Sequence, residues 1–106
     1  MVKQFEVYWI DLDPTKGSDI SKKRPCAIIS PNEMNDVLKT VIIVPITSNK
    51  KKYPSRVQIT KGTIKGMAVI DQIRTIDKQR IVKKYGRIST SASVKIKDVI
   101  NEMLVK

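Results

Sequence analysis

The stretch from Asp11 to Ser30 carries the residues of this chain that are best suited to hold an anion. It follows an apolar segment, continues as a polar loop that contains the turn-forming residues Pro14 and Gly17, and ends with the apolar run Cys26–Ile29. Long polar loops in compact domains are often functional. Arg24 stands where this loop meets the apolar run, and a guanidinium fixed there can clamp an anion through paired donors. A solvated loop with an ordinary flanking charge explains these residues equally well.

The charge of the chain favours a polyanionic partner. Its 106 residues include 21 Lys and Arg against 10 Asp and Glu, which gives a net charge of +11. No carboxylate occurs between Val37 and Ile70. The basic residues of that stretch are Lys39, Lys50, Lys51, Lys52, Arg56, Lys61 and Lys65. Such clustering is typical of proteins that bind nucleic acid or an acidic protein. The alternative is a lysine-rich surface that only keeps a small protein in solution.

Length and cysteine content indicate one intracellular domain. A chain of this length forms one domain but hardly two. Cys26 is the sole cysteine, so no internal disulfide can form, and its apolar neighbours favour a core role over a nucleophilic one. No apolar run approaches the roughly 20 residues of a membrane span, and the N-terminus lacks a signal-peptide pattern. We therefore expect a cytoplasmic protein that does not enter a membrane.

Short strands, followed by one helix, are the elements that must position these residues. Runs of aromatic and β-branched residues between turn residues predict strands. The predicted strands are Phe5–Leu12, Arg24–Ser30, Lys39–Thr47, Arg56–Thr60, Gly66–Ile76 and Ile81–Ile88. Turns or short helical turns are expected at Pro31–Asp36, Lys61–Gly62 and Asp77–Arg80. The first strand is apolar on both faces and should be central. This order predicts a mainly β fold, either a small barrel or a sandwich.

The C-terminal segment has the periodicity of a helix. Ser89, Thr90 and Ser91 can cap its start. Apolar residues then recur at positions i, i+3, i+4, i+7 and i+8, which places them on one helical face. They are Ile96, Val99, Ile100, Met103 and Leu104. We expect this face to pack on the strands.

Pro45 interrupts the third predicted strand, which is otherwise almost continuously apolar. Because proline cannot donate a hydrogen bond to a neighbouring strand, an edge or a bulge is expected there. A bulge would re-aim the two hydroxyl side chains that follow, Thr47 and Ser48.

Four segments of the sequence resemble the MazF/PemK family of toxins from toxin–antitoxin systems. They are Tyr8–Asp19, Arg24–Ser30, Val44–Ser48 and Asp71–Asp77, and they occur in the family's order. The resemblance implies that residues 1–106 form a single toxin domain, a twisted SH3-like β-barrel with a C-terminal helix, similar to PemK and CcdB. It implies sequence-specific cleavage of single-stranded RNA that needs neither metal nor cofactor and leaves a 2′,3′-cyclic phosphate and a 5′-hydroxyl. The implied partners are a second copy of the chain and a cognate antitoxin with an acidic, disordered tail.

The resemblance also assigns catalytic roles. In the most similar part of the family, the residues that match Arg24 and Thr47 are regarded as catalytic. We expect Arg24 to stabilise the transition state, with proton donation to the leaving group as a further option. Thr47 is expected to orient the scissile phosphate. Asp71 either orients Arg24 or pairs structurally with Arg74 or another basic group, and the structural role is favoured.

Further side chains are candidates for RNA contact. Ser18 and Asp19 can read a base edge or, alternatively, form the turn of the long loop. Gln72 can read a base or satisfy nearby backbone groups. Tyr53 can stack on a base or pack against Pro54. Lysines would follow the phosphates without sequence preference. The full set is Thr15, Lys16, Ser18, Asp19, Ser48, Lys50, Lys51, Lys52, Tyr53, Asp71 and Gln72.

The sequence departs from the family pattern at three points. Phe5 stands where the family usually has glycine, which indicates a changed start to the first strand. Val69 occupies the position of an arginine found in some relatives, and the chain contains no histidine. Mechanisms that use those residues therefore do not transfer. Two rival functions remain open: a non-catalytic module that binds RNA or an acidic protein, and a gyrase-directed toxin on the same fold.

Overall fold

The computed structural model describes residues 1–12, 23–49, 51–59 and 64–105. The described strands are β1 Glu6–Asp11, β2 Lys23–Ile28, β3 Thr40–Thr47, β4 Arg56–Ile59, β5 Gly66–Val69, β6 Arg74–Asp77 and β7 Ile81–Arg87. The helices are α1 Asn32–Asn35 and α2 Thr90–Ile100, with 3-10 turns at Ile70–Gln72 and Lys78–Arg80 and a π-helical turn at Asn101–Val105. The predicted turn at Lys61–Gly62 lies outside the described residues.

The strands form one antiparallel sheet with the neighbour order β4-β5-β3-β2-β1-β7, and β6 also pairs with β3. The predicted class, mainly β with a C-terminal helix, is confirmed. In the part of the chain that the structure describes, the hydrogen-bonded path is open and ends at β4 and β7. Strand β1 lies between β2 and β7, which confirms its predicted central position.

One predicted strand is wrong as a continuous element, because Gly66–Ile76 divides into β5, a 3-10 turn and β6. The polar pair Asp71 and Gln72 lies in that turn, exposed to solvent. The turn lets the two halves pair with different parts of β3, so that Ala68 lies opposite Ile46 whereas Arg74 lies opposite Ile43.

Pro45 lies on β3 between these two pairings. The expected edge is not found, because β3 also pairs with β2, and that pairing has no bulge either: Cys26 lies opposite Pro45 and the register continues unshifted to Ile28 opposite Ile43. On its other side β3 changes partner from β6 to β5 at this position. A residue that cannot donate a backbone hydrogen bond is tolerated at such a change of partner.

Both faces of the central strands are buried, and this creates two cores. One core includes Val7, Ile46 and the fully buried Ile96 of α2. The other lies across the sheet and includes Ile10 and Ile43. Full burial of a side chain such as Ile96 is worth about 1.5–3 kcal/mol. The two cores together hold β2 and β3 in fixed register, which matters for the site below.

Helix α2 begins as predicted, since the Ser89 Oγ accepts a hydrogen bond from the Ala92 N–H at 3.3 Å. Ile96 is buried, and Val99 and Ile100 pack against the core. The prediction is wrong for the last two apolar residues, Met103 and Leu104, which are 38% and 60% exposed. They follow the end of α2, in the π-helical turn. Its wider spacing rotates them away from the apolar face that contains Ile96.

Phe5 adopts φ +67°, a left-handed conformation that costs a non-glycine residue about 1–3 kcal/mol. Its N–H donates to the Ile28 carbonyl at 2.6 Å, and its carbonyl accepts from the Ile88 N–H at 2.9 Å. Its ring is only 7% exposed. The departure from glycine is thus accommodated on a glycine-like backbone, which the buried ring and these hydrogen bonds stabilise. We expected Phe5 to change the start of the first strand; the structure instead shows a left-handed backbone at Phe5, with both its N–H and its carbonyl hydrogen-bonded.

Glu6 is a buried carboxylate with three donors around it. The Lys84 Nζ lies 2.6 Å from it, and the Tyr8 hydroxyl and the Lys3 N–H each donate to it at 2.8 Å. Burial alone would raise the pKa of Glu6, but the hydrogen bonds from Lys84, Tyr8 and Lys3 outweigh it and hold the pKa below its ordinary value of 4.5. Burial, followed by the hydrogen bond to Glu6 and its negative charge, raises the pKa of Tyr8 to about 12.

Glu6→Gln is expected to lower the free energy of unfolding at pH 7. Because the pKa of Glu6 is lower in the folded than in the unfolded chain, its stabilisation is present above the ordinary value of 4.5. It is lost as the pH falls through the folded value. Urea unfolding of both proteins at pH 7 and at several lower pH values measures this, and the difference between them should shrink on acidification. A difference that stays constant would contradict the assignment.

Candidate active site

Arg24 and Thr47 line the same groove. Its volume is about 310 Å³, and it opens where the end of β3 passes the start of β2. The described residues that line it are Trp9, Lys23, Arg24, Pro25, Ile46, Thr47, Ser48, Ile64, Lys65 and Tyr85. Two side chains that are far apart in the sequence are therefore neighbours in one cavity.

The register of two strands accounts for this proximity. In the antiparallel pairing of β2 with β3, Cys26 lies opposite Pro45. The observed pairing ends there, and the same register extended by two residues on each strand would place Arg24 opposite Thr47. Residues directly opposite on antiparallel strands project to the same face, with Cβ atoms about 4.5–5.5 Å apart. The two buried cores fix the register of β2 on β3, which is consistent with both residues lining one groove.

The groove is strongly positive. Lys23, Arg24 and Lys65 line it, and none of the described lining residues is a carboxylate. Arg24 is exposed, and it forms no ion pair with any residue within the described ranges. Its planar donor fork is thus available to an anionic ligand, and a guanidinium matches the oxygens of a phosphate.

The Thr47 hydroxyl has one defined partner. Its Oγ1 accepts a hydrogen bond from the Asn49 N–H at 3.2 Å, which fixes the side chain at the end of β3. A threonine hydroxyl can accept and donate at the same time. The O–H hydrogen can therefore be donated to an oxygen of a ligand held by Arg24.

Gly66 supports the backbone of Thr47 from the neighbouring strand. Its φ of +152° is a backbone conformation that other residues rarely adopt, and a Cβ placed there would lie 2.5 Å from the Thr47 carbonyl oxygen. Strand β5 therefore approaches β3 closely only because this residue is glycine.

Sequence reasoning missed the aromatic wall of the groove. The rings of Trp9 and Tyr85 are stacked with their centroids 5.0 Å apart and an interplanar angle of 12°. Lys23 and Lys65 were missed as groove residues as well. Trp9 offered one signal, because it is the only tryptophan of the chain and is followed by the polar stretch that ends at Arg24.

The other predicted RNA contacts fall into separate places. Ser48 lines the groove with Thr47. Lys52 and Tyr53 instead line a second groove of about 400 Å³ between β4 and α2. The Arg56 guanidinium lies 4.7 Å from the centroid of the Tyr53 ring, and the Lys51 Nζ lies 5.4 Å from it. Five of the predicted residues lie outside the described part of the chain: Thr15, Lys16, Ser18, Asp19 and Lys50.

Asp71 and Gln72 line neither of these two grooves. Both are exposed on the 3-10 turn between β5 and β6. Among the described residues Asp71 forms no ion pair, so neither expected partnership, with Arg24 or with Arg74, is present.

The Cys26 side chain is fully buried, and burial raises the pKa of its thiol to about 12. The thiol is therefore protonated near neutral pH, and only a thiolate is a strong nucleophile. This agrees with the predicted core role. In the described ranges, no three His, Cys, Asp or Glu side chains are grouped in a way that could hold a metal ion.

Comparison with known proteins identifies the family. The sequence model of the PemK-like, MazF-like toxins of type II toxin–antitoxin systems matches residues 3–104. The chain belongs to the PemK/MazF toxin family. One relative, the endoribonuclease MazF of Staphylococcus epidermidis, is 34% identical over 107 residues, covering 95% of this chain and 89% of that protein. None of the described helices of this family member is long and apolar enough to cross a membrane.

Solved PemK/MazF-like structures share the fold. An endoribonuclease in complex with its cognate antitoxin, from a mycobacterial species, superposes with a TM-score of 0.86 at 22% identity over 99% of this chain and 96% of that chain. MazF from Deinococcus radiodurans gives a TM-score of 0.84 at 20% identity, over 99% of this chain and 97% of that chain. At these identities the likeness extends to the fold alone.

Proposed function

We propose that this PemK/MazF toxin is a sequence-specific endoribonuclease that cleaves single-stranded RNA without a metal ion. The observation that carries the proposal is that Arg24 and Thr47 line one positively charged groove. The relative from Staphylococcus epidermidis, which matches nearly the whole chain, is named an endoribonuclease and supports the same activity.

The reaction proceeds by attack of the ribose 2′-oxygen on the adjacent phosphorus. The new bond between that oxygen and phosphorus closes a 2′,3′-cyclic phosphate, and the bond to the 5′-oxygen breaks. The 2′-hydroxyl loses its proton, and the leaving 5′-oxygen gains one and becomes a hydroxyl. The protein must stabilise the negative charge on the five-coordinate phosphorus and hold the reacting atoms in line.

The two groove residues divide these tasks. The Arg24 guanidinium binds two phosphate oxygens and stabilises the charge that develops on them. The Thr47 hydroxyl donates to a phosphate oxygen and orients the scissile bond. Since the chain has no histidine, neither proton transfer is assigned to an imidazole. Proton donation by Arg24 to the leaving oxygen belongs to the same proposal.

Gly66→Ala is expected to lower both stability and RNA cleavage. The new Cβ would lie 2.5 Å from the Thr47 carbonyl oxygen, and the φ of +152° adds strain, so about 1–3 kcal/mol of stability should be lost and Thr47 displaced. Thermal unfolding and single-turnover cleavage measure the two effects.

Gly86→Ala is the matched control for that variant. Its Cβ would meet the Ile64 side chain, with Cδ1 at 2.8 Å and Cγ1 at 3.5 Å, and no backbone atom. The control should therefore lose less stability than Gly66→Ala and keep more of the cleavage rate. Equal losses in the two variants would show that Gly66 has no particular role beside Thr47.

The proposal also covers the partners of the toxin. An antitoxin with an acidic segment fits a groove lined by Lys23, Arg24 and Lys65, and a mycobacterial protein of this fold is described in complex with its cognate antitoxin. A homodimer is proposed because exposed apolar side chains remain at two places, Met34–Leu38 and Met103–Val105. Light scattering of the purified protein measures the dimer.

The site of action is the cytoplasm, where messenger RNA is translated.

Incubation of the purified toxin with a long single-stranded RNA, with and without EDTA, tests the activity. Discrete fragments in the presence of EDTA, with ends mapped by primer extension to one recurring sequence, are the expected result. A gel shift of intact RNA would indicate a non-catalytic binding module. Inhibited DNA supercoiling by gyrase, again with intact RNA, would indicate a gyrase-directed toxin, and either outcome would contradict the proposal.

A further inference from the structure

Strand β7 contains two bulges that face β1. Trp9 lies opposite Lys83 whereas Ile10 lies opposite Ile81, so Val82 has no residue directly across from it. In the same way Val7 lies opposite Gly86 and Tyr8 opposite Lys84, so the register skips Tyr85. Bulges re-aim side chains, and they are over-represented next to active sites.

Both extra residues of β7 line grooves that meet at Trp9. Tyr85 lines the groove of Arg24 and Thr47 and stacks on the Trp9 ring. Val82 is 48% exposed and lines a shallower depression of about 290 Å³, together with Trp9, Lys23 and Lys83. The two cavities share Trp9 and Lys23, so they are adjacent and the indole borders both.

The chemistry of this surface fits a nucleotide. The indole of Trp9 is partly exposed, and its stacking on Tyr85 holds its plane in place. Lys23 and Lys83 provide positive charge beside it. Aromatic rings bordered by cations are the usual way to hold single-stranded nucleic acid, because every base has a π-face and every linkage a negative charge.

We propose that Trp9, supported by Tyr85, is a stacking platform for the nucleobase next to the phosphate held by Arg24. Lys23 and Lys83 then contact the phosphates on either side of that base. This inference rests on the proposed RNA substrate, and it adds a base-binding subsite to the cleavage site. It also explains why the chain exposes an apolar residue, Val82, beside the lysines of β7: the valine borders the base.

The fluorescence of Trp9 provides a direct test, because the chain contains no other tryptophan. The probe is a short RNA spanning the mapped cleavage site, with a 2′-deoxynucleotide that prevents cleavage. Titration of the wild-type toxin should quench the tryptophan emission. Removal of the base at one of the two positions flanking the scissile phosphate should abolish the quenching while every phosphate is kept. Quenching that survives base removal at both positions would overturn the proposal.

Variants give a second readout. Trp9→Ala should bind the uncleavable RNA roughly 10- to 100-fold more weakly, and Trp9→Phe, which keeps a π-face, should recover much of that loss. Val94→Ala, at an exposed apolar residue of α2 that lines neither groove at Trp9, is the control and should leave the Trp9 quenching unchanged. If Trp9→Ala folds and binds as tightly as the wild type, the platform does not exist. RNA that binds and quenches without ever being cleaved would overturn the proposed nuclease function and leave the platform supported.

Discussion

Arg24→Ala is expected to reduce single-turnover RNA cleavage by about 10²–10³-fold or more, because it removes the donor fork that stabilises charge on the phosphorus. The fold should be unaffected, since Arg24 is exposed and makes no ion pair with a described residue. RNA binding should weaken far less than cleavage, because Lys23 and Lys65 remain in the groove. Cleavage of a defined RNA under enzyme excess, with thermal unfolding in parallel, measures the effect.

Two further variants sharpen that prediction. Arg24→Lys keeps the positive charge but loses the planar fork, so it should recover part of the binding and little of the rate. Arg87→Ala removes an exposed arginine of β7 that lines neither of the two described grooves around Trp9, and it should cleave RNA normally. A wild-type rate for Arg24→Ala would refute the assigned role.

Thr47→Val is expected to reduce cleavage by a similar factor, about 10²–10³-fold, because it removes one donor aimed at the phosphate and keeps the β-branched shape. Thr47 is half-buried at the end of β3, where valine has a high strand propensity. The stability of the variant should therefore stay close to that of the wild type. The cleavage rate at saturating enzyme isolates the chemical step from binding.

Thr47→Ser provides the test that a merely structural role would fail. Serine restores the hydroxyl, both toward the RNA and toward the Asn49 N–H, so cleavage should return to within a few-fold of the wild type. Thr40→Val, at the other end of β3, is the control for a lost threonine hydroxyl away from the groove. Full activity of Thr47→Val would rule out the hydroxyl as a catalytic group.

Local sequence patterns were sufficient to predict most of the strands and the C-terminal helix. The burial of both faces of β1 follows from apolar residues at successive positions, and the Ser89 cap and the buried Ile96 follow from helical periodicity. The position of Arg24 near the start of a strand was also predictable from the sequence, since the polar loop gives way to an apolar run there. In these cases the neighbouring residues in the chain decide the structure.

Features that depend on pairing between distant segments could not be predicted from the sequence. The division of β5 from β6 arises because β3 changes partner at Pro45. Likewise, the stacking of Trp9 on Tyr85 depends on bulges in β7 that no local pattern marks. The shared groove of Arg24 and Thr47 depends on how β2 and β3 pair, and only the family resemblance gave Thr47 a catalytic role in advance.

A crystal structure of the wild-type toxin bound to an RNA that carries a 2′-deoxynucleotide at the cleavage position would test the central claim most directly. The account predicts that the phosphate following that nucleotide lies in the groove between β2 and β3, within about 3 Å of both the Arg24 guanidinium and the Thr47 Oγ1. A phosphate that lies elsewhere, for example beside Tyr53 in the second groove, with Arg24 and Thr47 contacting no RNA, would contradict it.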